Sequence, residues 1–170
     1  QNSIKPIVIA LGKSYLDPMT SHRYQGSIQG AEDEITRLVQ ILGSAIPPIP
    51  VIRIKAETTV SNPIVLADTG YYESHLSIVV PESDEARLRY FVGTIKELHL
   101  SSNAMKTSNA VKSIMATYRA RRVTADKFTA DVEQYRSLLT KANFNVDKQI
   151  VEYCWLDTNE SHDNAWFSIK

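Results

Sequence analysis

The chain has 170 residues, with 19 basic and 19 acidic side chains and a hydrophobic fraction of 43%. That length fits a single domain of about 100–200 residues, and the composition excludes collagenous, disordered and low-complexity chains. The cancelled charge excludes coating of a duplex or a membrane surface by bulk electrostatics, leaving only a local basic patch.

The longest apolar stretch, Pro6 to Leu11, is far short of the ~20 residues that span a bilayer, so no membrane partner is expected. A lone cysteine, Cys154, cannot form an internal disulfide and reads as a small apolar residue. With no leader pattern visible, a cytoplasmic protein is expected.

An apolar run near Ile4 to Ala10 predicts the first strand. Gly12-Lys13-Ser14 follows, but a phosphate-binding loop would need a glycine where Ile7 stands. Ile35, Leu38, Val39 and Leu42 predict an amphipathic helix around Ala31 to Leu42. The prolines of Ile46-Pro47-Pro48-Ile49-Pro50 then exclude helix and central strand. A strand is expected from Val51 to Thr58, with Arg53, Lys55 and Glu57 on one face. Residues 1–60 are therefore expected to form a strand-helix-strand extension packed on a core of residues 61–170.

In the core, Tyr72 to Val80 alternates, with Leu76, Ile78 and Val80 opposite Glu73, His75 and Ser77. Pro81 ends that strand, and Ser83 is placed to cap a helix with Leu88, Phe91, Val92 and Ile95 on one face. A second strand is predicted over Leu98 to Asn103, a turn at Thr107-Ser108-Asn109 and a third strand over Val111 to Arg121. Thr124 caps a helix carrying Phe128, Val132, Tyr135 and Leu139, which ends near Asn143 or Asn145. Gln149 to Asp157 reads as the fourth strand.

Strand-helix-strand-strand-helix-strand is the ferredoxin-like βαββαβ pattern of an α+β protein. Its usual strand order is 4-1-3-2, with both helices on one sheet face and the other face open.

Residues two apart on a strand share a face. The open face is therefore expected to carry Glu73, His75 and Ser77, then His99, Ser101 and Asn103, then Thr117, Arg119 and Arg121, with Glu152 on the fourth strand and Arg53 and Lys55 from the extension. Strand three lies between strands one and two, so His75 and His99 should stand two spacings apart, roughly 9–10 Å at the backbone.

Histidine titrates near neutrality, so a pair can serve as acid and base. Arg119 and Arg121 would anchor an anion through forked donors, and the hydroxyls of Ser77 and Ser101, with Asn103, would orient the groups. Glu73, His75, His99 and Glu152 also form a mixed donor set suited to Zn, Mn or Fe. The segment Asp157 to Asp163 lacks the sixth-position glycine and terminal glutamate of a calcium loop and reads as a turn after the last strand, with Asp163 a minor site candidate and Trp166 a lid over one edge. Tyr71, Tyr72, Tyr118 and Trp155 offer stacking surfaces, but the aromatic pattern of RNA-binding sheets is absent.

His75-Leu76-Ser77 and His99-Leu100-Ser101 repeat one tripeptide on two strands. In these residues the chain resembles the 2H phosphoesterases, which carry paired His-x-Ser/Thr elements. The resemblance implies metal-free cleavage of cyclic or 2′,5′ phosphodiesters of nucleotides and RNA, with His75 and His99 as catalytic residues and no cofactor. The expected function is thus a phosphate-ester hydrolase or phosphodiesterase for a nucleotide or RNA end. The alternative is a non-catalytic binding module for an anionic small molecule or nucleotide. A third reading makes the open sheet face a homo-oligomer interface.

Overall fold

The computed structural model describes residues 5–10, 16–60, 70–103 and 111–163. The elements in chain order are β1 Lys5–Ala10, β2 Leu16–Ser21, α1 Ile28–Gly43, β3 Lys55–Thr59, β4 Tyr71–Pro81, α2 Glu85–Gly93, β5 Leu98–Asn103, β6 Val111–Ala120, α3 Ala125–Lys141 and β7 Asn145–Asp157. Single 3-10 turns cover Glu82–Asp84 and Glu160–Asp163. The expected positions Gly12-Lys13-Ser14, Thr107-Ser108-Asn109 and Trp166 lie outside the described residues.

The architecture is α+β. Among the described residues, seven strands join one antiparallel sheet in the order β2-β1-β5-β6-β4-β7-β3. The N-terminal strands extend this sheet at its two ends, β1 and β2 beside β5, and β3 beside β7.

Period-2 patterning decides which side is apolar. Leu76, Ile78 and Val80 of β4, Ile114, Ala116 and Tyr118 of β6, and Leu98 of β5 bury against Leu88 and Val92 of α2 and Phe128, Val132 and Leu139 of α3. Both helices therefore cover the same face. Phe128 stacks between Tyr72 and Tyr118, with ring centroids 5.2 and 5.0 Å away.

The Thr124 side chain accepts from the Lys127 amide at 3.2 Å and caps α3. Past its C-terminus, Asn143 takes a left-handed φ of 59°. Ser27 caps α1 in the same way, accepting from the Gly30 amide at 3.1 Å. No side chain of α1 is buried. The Ile46–Pro47 peptide after it is cis.

Several boundaries differ from the sequence expectation. β2 carries Pro18 and no alternation, so period-2 reading passes over it. The chain from Val51 pairs only from Lys55 onward. β7 starts at Asn145 rather than Gln149, and a register shift at Ser77/Ile78 breaks its alternation. The helix after Pro81 opens with the Glu82–Asp84 turn, without the side-chain cap expected from Ser83. No helix among the described residues is long and apolar enough to cross a membrane.

Candidate functional site

The face away from α2 and α3 carries the charged side chains. Glu73, near the start of β4, is 1% exposed and binds three neighbours. Its Oε1 accepts from Lys55 Nζ at 2.9 Å and from His75 Nε2 at 2.8 Å, and its Oε2 accepts from Arg119 Nε. These donors come from β3, β4 and β6, and they meet because β4 is paired with both β6 and β7.

A second hub lies at the end of β7. Arg53 binds Asp157 through two parallel bonds of 2.9 and 2.6 Å, and its Nη1 reaches Asp163 at 2.7 Å. Arg119 Nη1 donates to the same Asp163 at 2.6 Å, and the Tyr71 hydroxyl donates to Asp157 at 2.6 Å. The Glu160–Asp163 turn thus carries a carboxylate across to β6. Arg121, just beyond β6, pairs with Glu160 at the rim. Arg119 and Arg121 both lie over the Tyr71 ring, 5.4 Å from its centroid.

This pairing sets the ionisation states. Burial favours the neutral acid at Glu73, but the bond and charge of His75, with Lys55 and Arg119, hold the carboxyl well below its usual range. Burial likewise opposes charge on His75, yet Glu73 raises the imidazole above its ordinary value. The two groups are driven toward an imidazolium–carboxylate pair. Its Nδ1 lies 2.9 Å from Thr117 Oγ1, so both ring nitrogens are oriented. Glu152 is pushed upward, first by burial and then by the like charge of Glu57. Burial pushes the Cys154 thiol up to about 12, which leaves it a poor nucleophile at neutral pH.

His75, Thr117 and His99 occupy one register row across β4, β6 and β5. The two-strand separation expected for the histidines is therefore the one found. Arg53, Lys55, Glu73, His75 and Arg119 come together in one network. Ser77 lies further along β4, with its hydroxyl 3.1 Å from that of Ser113. Ser101 and Asn103 lie on β5, toward β1.

The expectation of an open face is corrected. Ser77, Ser101 and Arg119 are only 7, 8 and 7% exposed. Carboxylates from the Glu160–Asp163 turn and the end of β7 cover guanidinium groups that alternation alone leaves facing solvent. The donors of Arg53 and Arg119 are taken up by these internal carboxylates. Both arginines hold the face together before they can hold a ligand.

Among the described residues, Glu57, His75 and Glu152 form a mixed donor set whose ligand atoms all lie within 4.8 Å of one another. The mixed set expected from the sequence had Glu73 and His99 in place of Glu57. Asp157 was read only as a turn residue, and Tyr71 only as a stacking surface. The one signal for them was their placement next to alternating strands; their partners depend on the β3–β7 pairing, which no local pattern specifies. No family model matches this chain, and no curated protein or solved structure matches it.

Proposed function

We propose that the charged face is the active site of a phosphate-ester hydrolase acting on a nucleotide or an RNA end. The observation that carries this reading is His75, held between a buried carboxylate and a threonine hydroxyl, with its side chain still 23% exposed. A raised, oriented imidazolium is a competent proton donor. His99, two strands away on the same row, is the base. It removes a proton from the attacking water, water oxygen bonds to phosphorus, the phosphorus–oxygen ester bond breaks, and His75 protonates the leaving oxygen through Nδ1, which exchanges the Thr117 hydroxyl for that oxygen while Nε2 stays on Glu73. Lys55 and Arg121, which keep some solvent exposure, are the cations offered to an incoming phosphate. The paired His-Leu-Ser elements and their resemblance to 2H phosphoesterases support the same reaction class.

We also read β4 to β7 with α2 and α3 as a ferredoxin-like core, residues 1–60 being an extension of it. Support comes from the neighbour order β7-β4-β6-β5 and from antiparallel pairing throughout.

A thermal-shift panel of nucleotides, cyclic nucleotides and 2′,3′-cyclic phosphates tests the reading on wild type and His75→Ala. A ligand that binds only the native state raises Tm by mass action. The expected result is a wild-type shift with product formed, and product lost in His75→Ala. A shift with no product by chromatography would replace the hydrolase reading with the binding module. No shift with any ligand would contradict both.

A further inference from the structure

Glu57, His75 and Glu152 come from three consecutive neighbours in the sheet, β3, β4 and β7, with β7 in the middle. Each offers one ligand atom, and the three atoms lie within 4.8 Å of one another. The β3–β7 register shifts between Ala56 and Glu57, where β7 carries the extra residue Trp155, so Glu57 pairs with Cys154 instead. Glu57 thereby shares the sheet face of Glu152, two residues along β7 from Cys154, and Lys55 Nζ at 2.6 Å is the ion-pair partner seen for Glu57. The Glu152 side chain makes no hydrogen bond or ion pair among the described residues, and burial, followed by the like charges of Glu57 and Glu73, raises its pKa.

The local charge is unbalanced. Five carboxylates (Glu57, Glu73, Glu152, Asp157 and Asp163) meet three permanent cations, Arg53, Lys55 and Arg119. Two negative charges are left for His75 or a bound ion to offset. Buried charge without compensation is costly, so a partly enclosed site with this excess attracts a divalent cation.

We infer that Glu57, His75 and Glu152 bind one first-row divalent cation, Mn²⁺ or Zn²⁺. One imidazole with two carboxylates suits these ions, whereas calcium prefers oxygen alone. Thr117 holds Nδ1 at 2.9 Å, as a neighbouring group commonly holds the second nitrogen of a metal-bound imidazole. Nε2 would leave Glu73 for the ion, and Lys55 with Arg119 would keep Glu73 paired.

The inference uses the residues of the proposed active site but does not require turnover. With an ion bound, His75 is a ligand and no longer a proton donor, so the ion would inhibit the metal-free reaction rather than assist it. Failure to hydrolyse any ester leaves this site standing, and failure to bind an ion leaves the metal-free reaction standing.

The test is isothermal titration calorimetry of chelator-stripped protein with Mn²⁺ and with Zn²⁺. Wild type is compared with Glu57→Gln, Glu152→Gln and, as a control for adventitious histidine binding, His22→Ala. One ion per chain is expected, weakened by about tenfold or more in each glutamine variant and unchanged in His22→Ala. Absence of binding by both ions, or binding that ignores both glutamine variants, would overturn the inference. Because a glutamine variant can fail to fold, Mn²⁺ is also titrated into wild type while the histidine ring resonances are followed. Those of His75 should broaden first; earlier broadening of another histidine would equally overturn the inference.

Discussion

Replacing Glu73 by alanine removes the carboxylate on which Lys55, His75 and Arg119 converge. Glu73 is 1% exposed and the Arg119 side chain 3%, so the loss leaves a guanidinium buried with Asp163 as its remaining anion among the contacts described. Breaking a buried pair from one side costs about 3–5 kcal/mol, whereas an exposed pair is worth ~0–1. For a chain of this size, that corresponds to a fall in Tm of roughly 6–20 °C. The comparison pair is Arg37–Glu34 on α1, whose arginine is 53% exposed and whose loss should stay within about 1 kcal/mol. Urea unfolding of Glu73→Ala, Arg119→Ala and the double variant supplies the cycle. The double variant should be less destabilised than the sum of the single ones, because removing both charges leaves neither stranded. A Glu73→Ala loss no larger than that at Glu34, or strict additivity, would refute the claim that this network is buried and mutually dependent.

Two further outcomes follow from the packing and the charges. Phe128→Ala, at a ring that is 0% exposed and stacked between two tyrosines, should cost about 3–5 kcal/mol in urea unfolding, while Tyr90→Ala at an 80% exposed position should stay within ~0.5 kcal/mol. Asp157 is pushed up by burial but pulled down more strongly by Arg53 and Tyr71, so its folded pKa lies below the ordinary value. A depressed carboxyl pKa gives stability that is fully present above the unfolded value and lost as pH falls through the folded one. The urea midpoint of wild type should therefore fall more steeply than that of Asp157→Asn below about pH 4, and parallel curves would contradict this.

The part of the fold written in strict alternation was legible. Leu76, Ile78 and Val80 against Glu73, His75 and Ser77 put the right residues on each face of β4, and β5 and β6 followed the same rule. Phe128, Val132 and Leu139 did the same for α3 at helical period. β2 was not legible because Leu16-Asp17-Pro18-Met19 has neither period nor an unbroken set of amide donors. The start of β7 was hidden by the register shift opposite Ser77, which puts Val146 and Val151, of opposite parity, against the same core.

At the site, sequence parity found Glu73, His75, Arg119, Glu152, Arg53 and Lys55. It missed the roles of Asp157, Asp163 and Glu57, because Arg53 and Asp157 meet across 104 positions and Arg119 and Asp163 across 44. Such partners follow from which strand lies beside which, and a single chain's local pattern does not encode that. The burial of the face followed from the same missing partners. Arginines that look like free anion anchors along a strand become structural once their carboxylates arrive.

In the proposed reaction His75 moves a proton during cleavage of a phosphate ester. The most direct test incubates wild type and His75→Ala with a 2′,3′-cyclic nucleotide in ¹⁸O-labelled water, with and without chelator, and follows the product by mass spectrometry. Labelled monophosphate is expected from wild type, with a rate lower by about 10²–10⁴-fold in His75→Ala, the usual contribution of a positioned proton donor. Equal rates for the two proteins, or no labelled product from either, would contradict that role.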